Sequence, residues 1–227
     1  MAFINGVTFD LSKVHFAADT KPNKSGGRNV RVSRDEASGA RVQFQLGKRR
    51  ADAMRCPWGL DKTSKDASDD DTRKILKIEV SGKEKQAIER LEEATVAAAF
   101  ANSESWFKEK KPLSKEAVQD RFQSKLKTDD KGITTLTLKV DTDGDKKTVV
   151  KVCHVDEDGS YSKPVVGSHK DITKGCKVVP NIFIGNGVYF INKNFGTSLV
   201  ASEITVVAGD NEESTTYFSS DEDAAED

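Results

Sequence analysis

Cysteine, histidine and long apolar runs are scarce in this chain. Its three cysteines, Cys56, Cys153 and Cys176, are an odd number set far apart in 227 residues, which argues against a disulfide framework. The soft ligands Cys153, His154, His169 and Cys176 match no zinc spacing, and neighbours 153 and 154 on a strand would point to opposite faces. No apolar stretch approaches the roughly 18–20 residues that span a bilayer. The N-terminus, MAFINGVTFDLSKVHF, lacks a charged segment followed by an apolar one, so it does not read as a signal peptide. A soluble intracellular protein is the expectation. No glycine-rich loop precedes a Lys-Ser/Thr pair, and neither serine nor thiol has an evident positioned base. Nothing argues for an enzyme, and no cofactor or metal is expected. Asp141-Thr-Asp143-Gly-Asp145 begins like a calcium loop but fails the pattern, with glycine fourth instead of sixth and Val152 in the twelfth place, where a glutamate is needed. It reads as a turn between strands.

Charge, by contrast, is plentiful, at 32% of residues against 36% hydrophobic, and it is unevenly placed. The chain holds 36 Lys and Arg against 37 Asp and Glu. Residues 210–227 (DNEESTTYFSSDEDAAED) carry eight of the acids and no base, so residues 1–209 hold 36 cations against 29 anions, a net +7. A basic body joined to an acidic tail suggests polyanion binding by the body and mimicry or repulsion by the tail.

The length fits one sizeable domain or two small ones. Residues 1–27 read as a flexible arm, 28–209 as the folded domain, and 210–227 as an acidic disordered tail. Arg28–Leu46 is extended, with Val42, Phe44 and Leu46 alternating with polar neighbours as in a half-buried strand. Residues 61–73 (DKTSKDASDDDTR) read as a solvated loop, and Ile75–Val80 as a strand. A helix is predicted over 83–101, opened by a capping box of Ser81 and Glu84, with Ala87, Ile88, Leu91, Ala94 and Ala98 on one face. A second is predicted over 114–126, with Val118, Phe122 and Leu126 at four-residue intervals. From Gly132 the period becomes two. Strands at 134–140, 148–153, 175–184, 187–191 and 198–207 are separated by Asp143-Gly144, Asp158-Gly159 and Asn186-Gly187, read as hairpin turns. The expected fold is mostly antiparallel β with a helical insertion.

Basic residues interleaved with aromatics carry the functional reading. Arg41, Lys48, Arg49, Arg50 and Arg55 lead into Trp58. Trp106 precedes Lys108. Lys139 and Lys151 lie on the later strands, Tyr161 and Lys163 follow a turn, and Tyr189 and Lys193 flank the last hairpin region. Single-strand binders pair a positive groove that follows phosphates with aromatic faces that stack on bases. Tyr161, Phe183, Tyr189 and one of the tryptophans are the stacking candidates. Packing in the core is the competing reading for Trp58 and Trp106, as a solvated turn is for Lys48–Arg50.

Several segments together resemble the phage-type single-stranded DNA-binding proteins of short-tailed coliphages, and their relatives in large nucleocytoplasmic DNA viruses. They are Pro57-Trp58-Gly59 after the first basic strand, the helix at 83–101 running into Asn102-Ser103 and Trp106-Phe107, and Leu113–Val118. Gly187–Phe190 and Lys193-Asn-Phe-Gly196 before the last strand, and the acidic end, complete the set, which covers roughly residues 40–227. The resemblance implies an OB-type antiparallel barrel with inserted helices, coating single-stranded DNA in viral replication within the host nucleus or cytoplasm. It also implies a homodimer and a tail that contacts polymerase, helicase or primase. The tail residues are Asp210, Glu212, Glu213, Tyr217, Phe218, Asp221, Glu222, Asp223, Glu226 and Asp227. The tail departs from the family in carrying its aromatic pair well before the end. Two other readings remain open: a chaperone-like protein whose tail binds basic partners, and an RNA-binding barrel.

Overall fold

The computed structural model describes residues 4–5, 11, 14–22, 27–34, 37, 39–47, 50–63, 68, 71–156 and 160–208. The tail at 210–227, Lys48, Arg49 and the Asp158-Gly159 pair lie outside them.

Two long strands organise the fold. β12 (Lys177–Ile191) and β13 (Asn194–Ala208) form an antiparallel hairpin across a turn at Asn192 and Lys193, both with positive φ. The turn is not at Asn186-Gly187. That pair sits inside β12, where the register with β13 shifts between Ile184 and Val188. A glycine at positive φ inside a strand serves a bulge as readily as a turn. Gly187 has φ +81° and a Cβ there would fall against the carbonyl oxygen of Val30, so β12 can pass β3 (Arg28–Ser33) at this point only without a side chain.

Around this hairpin the other strands take their places. β4 (Gln43–Gln45), β5 (Met54–Arg55) and β3 (Arg28–Ser33) pair antiparallel with successive parts of β12. Pro180 falls where β12 changes partner from β5 to β4, a position at which a missing N–H breaks no ladder. β9 (Thr134–Asp141) and β10 (Val149–His154) both run parallel to β13, one after the other along it. The Asp143-Gly144 turn is thus an excursion between two strands that share a partner, not a hairpin. β7 (Arg73–Glu79) pairs with β9, and β6 (Leu60–Lys62) with β7. β8 (Leu126–Thr128) pairs with β9, β11 (Val165–Val166) with β10, and β1 (Ile4–Asn5) parallel with β4.

Followed in space, β5, β12, β13, β9, β7 and β6 make a ring of neighbours that lacks one ladder, between β5 and β6. Those two are joined instead by the four-residue corner Cys56–Gly59. The sheet is strongly barrel-like but not closed by hydrogen bonds, and Arg55 to Glu79 (2.8 Å) ties β5 to β7 across the opening.

Residues 15–22, expected within a loose arm, are instead β2 (His15–Pro22), paired with β3. Asp61 and Lys62, expected within a solvated loop, continue a strand from Leu60, because Leu60, Asp61 and Lys62 pair with Leu76, Ile75 and Lys74. The first helix, α1 (Gly82–Ala101), forms as its periodicity requires, burying Ala87, Ile88, Leu91, Thr95, Val96 and Ala99. Its capping box is absent: Ser81 is the N-cap but its side chain makes no capping bond. A short α2 (Ser103–Phe107) follows directly. α3 (Lys115–Asp120), capped by Ser114, is far shorter than predicted. Phe122 instead bridges to Phe195, and Leu126 enters β8 opposite Leu136. The four-residue spacing there reflects burial from two different elements.

The core is continuous, built from Leu76, Ile78, Leu136, Leu138, Val140, Ile182, Ile184, Leu199 and Ile204 on the strands and Ile88 and Leu91 on α1. Trp106, Phe107, Phe190 and Phe195 form an aromatic cluster where α2 meets the hairpin, with ring centroids 5.3–6.0 Å apart. Among the described residues no helix is long and apolar enough to cross a membrane.

Candidate nucleic-acid interface

Strict alternation on β7 and β9 turns one face of the sheet inward and the other out. Leu76 and Ile78, and Leu136, Leu138 and Val140, are buried, which leaves Ile75, Lys77, Thr135, Thr137 and Lys139 on the outer face. Paired residues share a face, so Lys139, Val200 and Phe183 follow one another across β9, β13 and β12. Arg41 lies over the Phe183 ring at 5.3 Å.

On this face an open groove of about 690 Å³ runs between the corner carrying Trp58 and the strand carrying Tyr189. Four lysines line it, Lys62, Lys77, Lys125 and Lys127, against one acid, Asp61; Ile75, Thr135 and Thr137 form its floor. Trp58 is 56% exposed, unusual for so large an apolar ring, and Lys77 Nζ stands 5.4 Å from its centroid. Lys125 Nζ donates to Tyr189 Oη at 3.0 Å, which fixes the phenol end of the ring. Tyr189 lies opposite Gly196 on β13; a Cβ at Gly196 would meet Tyr189 Oη at 2.7 Å and the Gln123 carbonyl at 2.7 Å. That glycine is what lets the ring rest against the sheet.

The Lys125 wall is anchored from behind. Glu92 on α1 accepts from Lys125 N–H and from Ser124 Oγ, both at 2.7 Å. Burial raises its carboxyl above the usual range despite those bonds and the Lys125 charge. Lys139, beside the groove and 3.5 Å from Ser198 Oγ, is held below its ordinary value first by burial, then by repulsion from Lys125 and Arg73, with Asp141 opposing. Cations that repel one another and outnumber the nearby acids Asp61 and Asp141 favour an incoming polyanion.

The structure divides the candidate residues. It brings Trp58 and Tyr189 to one groove and puts Lys139, Phe183 and Arg41 on the same sheet face. Arg50 and Tyr161 pair elsewhere, with the guanidinium 5.8 Å from the ring and donating to Ser162 O at 2.5 Å, near the end of β10. Lys163 is exposed beside them. Lys108 caps α2 in the left-handed region, and Lys193 is an exposed residue of the β12–β13 turn. Trp106 must be corrected. It is fully buried, and its indole N–H donates to Ala17 O at 3.1 Å, so its ring belongs to the core and not to a stacking platform. Arg55 and Lys151 pair with Glu79 and Glu203 at 2.8 and 2.6 Å, partly exposed ion pairs that an incoming phosphate would have to displace. Lys62, Lys77, Lys125 and Lys127 were not among the candidates. Alternation alone marks Lys77, as it marks Lys139; Lys125 was hidden by reading 114–126 as helix, and Lys127 follows just beyond that segment.

No family model matches the sequence, and no curated protein matches it. Among solved structures the chain resembles phage single-stranded DNA-binding proteins. One is gp2.5 of bacteriophage T7, at 16% identity and a TM-score of 0.46, covering 74% of this chain and 87% of that one. Another is that of bacteriophage Enc34 in a C-terminal truncation, at 10% identity and 0.42, covering 88% and 98%. The Enc34 protein in complex with single-stranded DNA gives 10% and 0.39, covering 86% and 96%.

Proposed function

We propose that this protein binds single-stranded DNA without sequence preference, through the outer face of an OB-type sheet, in the service of viral DNA replication. The observation that carries the reading is one groove holding an exposed tryptophan, a tyrosine and four lysines. The rings supply faces for bases, the lysines supply charge for the backbone, and nothing rigid in the lining selects one base. A duplex hides its base faces, so the stacking contribution is reserved for single strands. The acidic tail, with eight carboxylates and Tyr217-Phe218, competes for the basic face when DNA is absent and engages replication proteins when DNA displaces it. The net +7 of residues 1–209 supports this. Eighteen residues reach roughly 60 Å when extended, at about 3.3–3.6 Å each.

Fluorescence anisotropy of the full chain and of residues 1–209 against labelled oligo-dT, oligo-rU and a duplex tests the reading across a salt series. Tight, salt-sensitive binding to the single strands, strengthened by truncation, is expected. Equal weak binding to all three refutes it and leaves the tail as the active part, with basic proteins as its partners. The oligo-rU arm separates DNA from RNA, and sedimentation of the same two chains decides whether they dimerise.

A further inference from the structure

The corner that replaces the missing ladder between β5 and β6 contains a second, separate chemistry. Cys56 opens it, and Cys176 lies directly across on the approach to β12, one residue on from the Arg55–Lys177 pair. The backbones are bound together there: Cys56 N–H donates to Cys176 O, and Gly175 N–H to Cys56 O, both at 2.7 Å. The antiparallel register continued from Arg55 and Lys177 sets the two thiols side by side across the corner. Gly59 closes the corner at φ +73° against the backbone of Ile172–Lys174, so neither segment can drift from the other. Both cysteines are free, Cys56 buried and Cys176 partly exposed. Cys153, the third, is buried elsewhere on β10.

We propose that Cys56 and Cys176 are a dithiol site that a hydroperoxide oxidises to an intramolecular disulfide. The pair sheds its first proton as a unit. The Cys176 thiol, followed by backbone hydrogen bonds at Gly59 and Trp58, lowers Cys56 to about 7 against the effect of its burial, and the same sharing pushes Cys176 up. Near neutral pH the pair therefore holds one negative charge, on Cys56, with the Cys176 thiol as its hydrogen-bond donor. The Cys56 thiolate takes the proton of the more accessible Cys176 thiol as that sulfur attacks one peroxide oxygen; the O–O bond breaks, a sulfenic acid forms on Cys176, and the second oxygen recovers the proton from Cys56 and leaves as water. Cys56 thiolate then attacks the sulfenic sulfur, and the hydroxide released takes a proton to give a second water. Two thiols lose two electrons in all, and the peroxide gains them. The new bond would staple the open side of the barrel and fix the corner that presents Trp58. The proposal does not depend on what the groove binds.

The test uses the full chain, reduced and then treated with hydrogen peroxide at increasing pH. Remaining thiols are blocked and counted, and linked peptides are mapped by mass spectrometry. Expected are loss of two thiols of three, a Cys56–Cys176 peptide within one chain, and a rate that is half-maximal near pH 7. Cys153→Ser should leave all of this unchanged. Cys176→Ala should abolish the linked peptide and move the rate profile for Cys56 to higher pH, since the hydrogen bond that lowers it is gone. A disulfide that includes Cys153, links between chains, or three thiols surviving while methionines oxidise would each overturn the proposal. The peptide map on the unaltered chain decides the matter even if a variant fails to fold.

Discussion

Removing one ring separates a stacking platform from a decorative aromatic. Trp58 is 56% exposed, so Trp58→Ala discards little buried surface and should leave the melting temperature near that of the parent. If one base stacks on the indole, at roughly 1–3 kcal/mol for each such stack, affinity for oligo-dT should fall about 5- to 150-fold. Lys77, 5.4 Å from the ring, keeps its charge in the variant, so the slope of log affinity against log salt should not change. That pairing of a large loss with an unchanged slope is the signature of stacking without a phosphate contact. The chain offers its own probe. It has two tryptophans, and the other, Trp106, is fully buried, so quenching of the emission on binding should report Trp58 alone. Trp58→Phe should recover much of the affinity without the quench. Parental affinity in a folded Trp58→Ala variant would refute the assignment of the groove.

Three other perturbations address the walls of the same groove. Lys125→Gln should lower the salt slope by about 0.7, the share of a single neutralised phosphate on a single strand, and an unchanged slope would exclude Lys125 from the binding path. Gly196→Ala puts a methyl 2.7 Å from both Tyr189 Oη and the Gln123 carbonyl; it should cost about 1–3 kcal/mol of stability, read by thermal melting, and weaken oligo-dT binding as the ring is displaced. Burial raises the Glu92 carboxyl, so the folded chain holds its proton more firmly than the unfolded one. The stability this contributes is complete below the ordinary value of 4.5 and is lost as pH rises through the raised one. The melting temperature of the parent minus that of Glu92→Gln should therefore fall as pH rises from 4.5, and a flat difference would show that Glu92 is not desolvated.

Most of the sheet was legible because its strands alternate. Val42, Phe44 and Leu46 are all buried, as their spacing requires, and β7 and β9 fall where period two places them, whereas β13 starts four residues before the predicted strand and is buried without a break from Phe195 to Ala201. The errors have physical causes. Asn186-Gly187 has the residues of a tight turn, but the same left-handed freedom serves a bulge, and only the passing β3 backbone distinguishes the two. Val118, Phe122 and Leu126 keep helical spacing although Arg121 and Gln123 exchange backbone bonds with Phe195, which ends the helix and leads the chain towards the sheet. Tertiary pairing overrode a local period there. β2 was missed because it has no clean alternation; it is held by β3 and by the Trp106 indole on Ala17.

The groove was only half legible, for a reason that is general to sheets. Trp58 and Trp106 look alike in sequence, each beside lysines or arginines. The first sits on a four-residue corner at the open side of the barrel, while the second sits on a helical turn whose inner side meets Phe16 and Phe190. Nothing local distinguishes them; the difference lies in what faces them from 80 or more residues away. Cations behave the same way. Arg55 and Lys151 satisfy any count of basic residues, yet Glu79 and Glu203 claim them across the fold. Lys77 and Lys125, less conspicuous in sequence, are the ones aimed into the groove. Alternation can say which residues of a strand share a face. It cannot say which face is left open, because that depends on where the ring of strands fails to close, and here the failure is a corner that carries the exposed ring itself.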